Sequence, residues 1–276
     1  IVRPAARDVA YTRATVVRSI RDSLHARGFT EVETPMLQVI HGGGANARPF
    51  ETHINAYDMD LYLRIATELH LKRLVVGGGM EKVFEIGRQF RNEGVDFKHN
   101  PEFTSLELYE TYGDYDTMRV VTQEIIQEAA TAVFGSPVAR RADADGTVTE
   151  FDLSGEWPVK TVCQAVSEKL GEEVTADTPP LAVLSRHAVT IGLELDPDAT
   201  WAVVLEEIYG ELCESTTTTP PVFYTDFPPK ENAPLTRQHR VDPPRLAEKW
   251  DLVIFASEQG TAYSELVDPL EQRRRL

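Results

Sequence analysis

Phe90-Arg91-Asn92-Glu93-Gly94, followed by Lys98-His99-Asn100-Pro101-Glu102-Phe103 and then by Glu107 and Tyr109, is the stretch on which the reading of this chain turns. Two apolar runs flank its polar part, Val83 to Phe90 and Thr104 to Tyr109, with the β-branched and aromatic content of strands. The segment between them, Arg91 to Glu102, is a polar loop rich in charge, read as a long hairpin connection between the two runs. Side chains repeat every two residues along a strand, which predicts that Arg91 and Glu93 share one face and that Glu107 and Tyr109 likewise share a face. Such a hairpin, with Phe103 beside the charges, could hold a phosphate, a base and an amine together. An Arg-x-Glu pair by itself is ordinarily a solvated salt bridge, and spacing does not decide between the two.

Upstream, Val9, Val16, Val17, Ile20 and Leu24 fall at helical spacing between Asp8 and Arg27, and Gly28 stands where a helix would stop. Phe29 to Val32 then runs extended toward Thr34-Pro35. Gly42, Gly43 and Gly44 form a loop able to bring backbone close to a ligand. Leu61 to Ile65 reads as a strand and Ala66 to Leu74 as a helix. Glu110 to Phe134 is helical again, with Asp114 and Asp116 as caps.

Downstream, Arg140 to Thr149 is an exposed hairpin or loop, with a strand around Val148 to Leu153. Val162 to Leu170, Leu181 to His187 and Trp201 to Leu212 are short helices on Asp/Pro-rich linkers, a small helical insertion spanning about residues 160–220. Val222 to Phe227 and Trp250 to Phe255 are apolar enough for central strands. Irregular strand spacing with helices in blocks argues for an α+β fold, an antiparallel sheet flanked by helices.

The 276 residues carry 28 basic and 44 acidic side chains, a net charge of −16, which disfavours a general nucleic-acid binder and makes any RNA contact local. A small anion held by a few arginines, or a cation held by carboxylates, stays open. Two cysteines, Cys163 and Cys213, give neither a disulfide framework nor a zinc pattern. The sparse cysteines fit a reducing cytoplasm, and no apolar run approaches the roughly 20 residues that span a bilayer, so no direct membrane contact of this chain is expected.

With these segments in hand, nearly the whole chain closely resembles class II lysyl-tRNA synthetases. Arg27-Gly28-Phe29-Thr30-Glu31-Val32-Glu33-Thr34-Pro35 is similar to motif 1 of that family, and Phe90 to Phe103 to motif 2. Gly43 to Phe50 and Leu63-Arg64-Ile65-Ala66-Thr67-Glu68-Leu69-His70-Leu71-Lys72-Arg73 resemble the segments that separate the lysine branch from its aspartate and asparagine relatives. Trp250-Asp251-Leu252-Val253 through Glu258 to Tyr263-Ser264-Glu265-Leu266 resembles the stretch for metal and the lysine side chain.

The resemblance implies the class II synthetase fold, a homodimer through the motif 1 region, and ATP, L-lysine and tRNA(Lys) as partners. It implies Arg91 on the α-phosphate and the lysine carboxylate, Glu93 on the adenine amino group with Phe103 stacked on the ring, and His99 and Asn100 near the nucleotide. Gly44 and Glu68 are implied at the amino-acid end of lysine, with Glu107, Tyr109, Tyr263 and Glu265 around the ε-ammonium. Asp251 and Glu258 are implied as ligands of Mg2+. Their spacing of seven would put them on opposite faces of a flat strand, so a bulge or turn near Ala256-Ser257 is required. Lys72, four residues after Glu68, could simply pair with it as a solvated face.

Against the family, the anticodon-reading barrel expected before Ile1 and the glycine-rich motif 3 expected after Leu276 are not among these residues, and a fragment is the expectation. The acceptor could then be tRNA(Lys), a translation-factor lysine, or tRNA feeding lysyl-phosphatidylglycerol synthesis. A non-catalytic lysine-binding paralogue is the rival from another class.

Overall fold

A computed structural model describes residues 4–40, 47–96, 99–142, 146–176, 181–228, 235–238 and 246–275. The glycine loop at 42–44, and with it Gly44, lies outside the described residues, as does Lys98. The chain divides into two compact units, residues 17–112 and residues 1–16 with 113–276.

Helix α1, Pro4–Ala26, stops as the glycine predicts: Gly28 sits at φ +83°, and Phe29 N donates back to Leu24 O. Strands β1 (Thr30–Glu31), β2 (Leu37–Gln38), β3 (Glu51–Ile54) and β4 (Met59–Leu63) follow, then helix α2, Glu68–Val76. Strands β5, Lys82–Phe90, and β6, Glu102–Glu110, pair antiparallel through nine residues from Lys82↔Glu110 to Phe90↔Glu102. Strand β1 lies on the other side of β5 and runs parallel to it, one departure from an all-antiparallel sheet. A second small sheet has the order β2-β4-β3.

Arg91 and Glu93 are not on a strand. The last ladder bond is Arg91 N to Pro101 O, 2.9 Å, after which Asn92 N turns away to donate to Arg48 O at 2.7 Å. Two-residue periodicity therefore does not govern this pair, and both side chains are exposed on the connecting loop.

The other unit begins its regular structure with helix α3, Tyr115–Phe134. Asp114 caps it, accepting from Thr117 N at 3.0 Å while Thr117 Oγ1 completes a capping box. Glu110 still belongs to β6, so the helix starts later than its apolar spacing suggests. Strands β7 (Val138–Ala142) and β8 (Val148–Asp152) form the exposed hairpin, and β9 (Val159–Thr161) leads into α4, Val162–Leu170. Helices α5 (Leu181–Thr190) and α6 (Trp201–Tyr209) follow, and α6 runs into a π-turn, Gly210–Glu214. Strands β10 (Val222–Phe227), β11 (Ala247–Ile254) and β12 (Ser257–Tyr263) close a sheet of order β12-β11-β10-β9, and α7, Pro269–Arg275, ends the described chain.

Both faces of β10 and β11 are covered, which is why they read as nearly continuous apolar runs. Phe223, Trp250, Leu252 and Ile254 pack with Trp157 and with Met118 and Ile126 of α3. Tyr224, Phe227 and Val253 pack against Val162, Val166, Val204, Leu205 and Ile208 of the short helices. Tyr224 and Phe227, three apart, reach the same core because the ladder is irregular between Thr225 and Phe227, with Asp226 at φ +59°. Among the described residues no helix is long and apolar enough to cross a membrane.

Candidate functional site

In the unit of residues 17–112, the register of β5 and β6 fixes one face: Val83, Glu85, Gly87 and Gln89 stand beside Tyr109, Glu107, Ser105 and Phe103. Glu107 and Tyr109 thus share a face, as their spacing predicts. Arg91 is brought to the same row from the loop, its guanidinium carbon 5.2 Å from the centre of the Phe103 ring. One face of the ring expected to stack on a base lies under Arg91.

The joint between β4 and α2 acts as a bracket for these charges. Arg91 Nε donates to Ile65 O at 3.3 Å, and Thr67 N donates to Glu107 Oε1 at 3.1 Å. The bracket is itself locked by Arg64, whose side chain is 1% exposed. Arg64 Nη1 donates to Glu85 Oε1 at 2.7 Å and to Thr34 O at 3.0 Å, and Nε donates to Arg88 O at 2.8 Å. Thr34 Oγ1 donates to Glu85 Oε2 at 2.7 Å, so both carboxylate oxygens are used. Gly87 makes room for this, since a Cβ there would collide with the Arg64 guanidinium. Arg64 and Glu85 carry no periodic signal, and sequence reasoning gave Arg64 no role. The one available sign was an arginine inside an otherwise apolar strand-to-helix run, Leu63-Arg64-Ile65-Ala66.

Glu68 opens α2 near Glu107. Burial holds the Glu107 carboxyl above its ordinary value, with the Glu68 charge adding to the shift and the Thr67 N–H and Arg91 opposing it. Lys72 Nζ lies 2.7 Å from Glu68 Oε1 with the two side chains only 20% and 13% exposed, so this is no solvated face. The same ammonium lies 5.9 Å from the centre of the Tyr109 ring. His99 is exposed, its ring 2.8 Å from Asp96 Oδ2, while Asn100 and Glu93 are exposed on the same loop.

In the other unit, β11 and β12 carry the acidic pair. Phe255 and Ala256, at φ +55° and +56°, make a two-residue turn that sets Val253 opposite Glu258. Asp251, two residues before Val253, therefore shares a face with Glu258 despite the odd spacing. A bulge then shifts the register, so that Thr261 pairs with Asp251 and Tyr263 with Lys249 on that same face. Glu265 lies past the strand, bridged to Thr236, with its carbonyl accepting from Arg237 Nε at 3.1 Å.

Asp251 is buried; Oδ2 accepts from Lys249 Nζ at 3.0 Å, and Oδ1 has no hydrogen-bond partner among the described residues. Glu258 is exposed as a residue, yet its carboxyl is raised, first by loss of water around it and then by the Asp251 charge, with Lys249 opposing. An orphaned carboxylate oxygen beside a second carboxylate fits a hard cation. Among the described residues no three His, Cys, Asp or Glu side chains cluster to hold a metal, so these two would leave most positions to water and phosphate.

The chain is similar to curated proteins over nearly its whole length. The chain is 55% identical over 275 residues to the lysylphosphatidylglycerol biosynthesis bifunctional protein LysX of Gordonia bronchialis, covering 100% of this chain and 24% of that one. It is 58% identical over 273 residues to the protein of the same name from Rhodococcus opacus, covering 98% and 24%. The Mycobacterium marinum protein of that name is 54% identical over 275 residues, covering 100% and 24%. The chain thus spans about a quarter of the length of these curated relatives. The family described as tRNA synthetases class II (D, K and N) matches residues 1–276, and the chain belongs to that family.

Proposed function

We propose that this domain is a lysine-tRNA ligase: it activates L-lysine with ATP to lysyl-adenylate, releases pyrophosphate, and passes the lysyl group to the 3′ end of tRNA(Lys). The observation that carries the reading is the β6 face, where half-buried Glu107 and Tyr109, with Glu68 of α2 nearby, set acceptors for a cation next to an arginine. A zwitterion with a second ammonium needs that distribution of charge.

Arg91 is assigned to the lysine carboxylate and the α-phosphate, holding one carboxylate oxygen in line with phosphorus while the bond to the β-phosphate breaks. Glu93, His99, Asn100 and Phe103 are assigned to the nucleotide. Glu68, with the backbone at Gly44, takes the α-ammonium, and Glu107, Tyr109, Tyr263 and Glu265 the ε-ammonium. Carboxylate acceptors select lysine over a neutral isostere because an apolar end group would leave buried charges unpaired. Asp251 and Glu258 would hold Mg2+, which would neutralise triphosphate charge when bound. ATP and tRNA as co-substrates place the reaction in the cytoplasm, and the whole chain serves as the synthetase core of a longer protein. Met36, Leu37, Val39 and Ile40, exposed beside motif 1, are assigned to a second copy, checked by light scattering of the purified protein.

The printed name of the relatives favours one elaboration, that the lysyl-tRNA supplies lysyl-phosphatidylglycerol synthesis. Lysine-dependent ATP–pyrophosphate exchange by the full-length protein is the direct test. Equal exchange with ornithine or aspartate defeats the lysine reading. Labelled lysine that moves from tRNA to phosphatidylglycerol vesicles supports the lipid route, and label that stays on tRNA refutes it.

A further inference from the structure

The most unexpected feature of the β6 face is that it already holds a lysine. Lys72 Nζ lies 2.7 Å from Glu68 Oε1 and faces the Tyr109 ring at 5.9 Å, between one residue assigned to the substrate's α-ammonium and one assigned to its ε-ammonium. Helix α2 makes this possible: position i+4 places Lys72 directly above Glu68, and α2 packs against β6. The pair is largely shielded, with Lys72 20% and Glu68 13% exposed.

We propose that Lys72 is a built-in stand-in for the substrate, its ammonium occupying the carboxylate–aromatic position that L-lysine takes over when it binds. The inference rests on the lysine-activation reading above. Its physical basis is charge balance. Glu68 and Glu107 lie in each other's field, and two carboxylates of low exposure are costly without a cation. Lys72 supplies that cation while the site is empty. Its fifth of exposed surface and four-carbon stem give the ammonium a route to water when the substrate's ammonium arrives. The exchange of one ammonium for another is nearly neutral in charge, so only cationic ligands can make it. The site thereby avoids both an uncompensated acidic empty state and occupancy by neutral amino acids.

The cost is competition. If Lys72 holds the position for about 80–90% of the time, the apparent affinity for L-lysine is reduced about five- to tenfold. Calorimetry on the full-length protein, titrating L-lysine without ATP and ATP without lysine, reads this directly. Lys72→Met is expected to tighten L-lysine about five- to tenfold while ATP binding stays as in the parent, and Lys72→Arg to keep the parent value for both. Lys72→Gln, which is shorter but keeps a polar, uncharged end group, serves if the methionine disturbs α2; unaltered ATP binding reports an intact fold. Unchanged or weaker lysine binding in the neutral variants, with ATP binding preserved, overturns the stand-in and identifies Lys72 as a support for Glu68. Absence of lysine binding and of lysine-dependent exchange in the parent protein overturns the lysine-activation reading itself, and the stand-in with it.

Discussion

Removing the Arg64 guanidinium should be among the most destabilising single changes in the unit of residues 17–112. Arg64→Met keeps most of the side-chain volume but leaves Glu85, 4% exposed, with a buried carboxylate whose remaining partner in the network is the Thr34 hydroxyl. It also strips the donors from Thr34 O and Arg88 O, held at 3.0 and 2.8 Å. Breaking a buried pair by deleting one partner costs about 3–5 kcal/mol. Replacing both charges should cost less than the two single changes together, because Arg64→Met with Glu85→Gln no longer strands a charge. A coupling of about 1–3 kcal/mol is expected. The assay must report on the right unit. The chain's three tryptophans, Trp157, Trp201 and Trp250, all lie in the other one, so tryptophan fluorescence has no reporter in this unit. Amide hydrogen exchange of β5 and β6 reads it instead, as a fall in opening free energy. A loss below about 1 kcal/mol, or strictly additive single and double variants, would refute the claim that this network is a coupled buried charge cluster.

Gly87→Ala should weaken the same sheet by about 1–3 kcal/mol, because its Cβ collides with the Arg64 guanidinium, and denaturant unfolding followed by circular dichroism measures it. Glu107→Gln should raise the KM for L-lysine and yet stabilise the lysine-free protein near neutral pH. The folded pKa of Glu107 is raised, so the native state binds the extra proton, and the stability lost as pH rises through the folded value is restored to the glutamine variant. The gain should disappear below the ordinary value of 4.5, where both states are protonated, and melting curves across pH show it. Asp251→Asn should weaken Mn2+ binding, read by electron paramagnetic resonance, with lysine affinity retained. Asp114→Ala should cost about 0.5–2 kcal/mol by removing the cap of α3, and a chemical melt followed at Trp250, which donates to Tyr115 O at the start of that helix, reports it.

The strands and helices were legible where one physical rule acted alone. α1 ends at its glycine, α3 begins at its aspartate cap, and the paired runs at 82–90 and 102–110 declare themselves by composition and by the charged loop between them. Boundaries slipped where rules compete. Glu110 to Asp114 carries helical neighbours but stays out of the helix because the β5–β6 ladder claims Glu110 and the chain then turns at Thr111 and Tyr112, the latter at φ +63°. Trp201 to Leu212 reads as one helix, yet widens to a π-turn from Gly210 so that Cys213 reaches the core. The expectation that Arg91 and Glu93 alternate on a strand failed because periodicity holds only while the ladder lasts, and this one lasts to Arg91 N.

The parts of the candidate site that sequence could not reach are those made by register and by hydrogen bonds to backbone. Asp251 and Glu258 share a face only because Phe255 and Ala256 accept left-handed backbone, a conformation costly for such residues and not foretold by a glycine or asparagine there. Arg91 and Glu107, 16 positions apart, are tied to one four-residue bracket through Ile65 O and Thr67 N, atoms that every residue possesses and that no motif can encode. The side chain that fixes the bracket does carry sequence information: Arg64 is the only position from 61 to 67 with a charge that burial cannot tolerate unpaired. An arginine in an apolar run is therefore a request for a carboxylate partner elsewhere. Here the partner, Glu85, lies on a strand two residues before a glycine that leaves the guanidinium its space. In this fold the recognition face and the buried ion pair are one construction: the same row of β5 and β6 that presents Glu107 and Tyr109 also seats Arg64 over Gly87. Stability and substrate recognition should consequently fall together when Arg64 or Gly87, which seat that row, is altered.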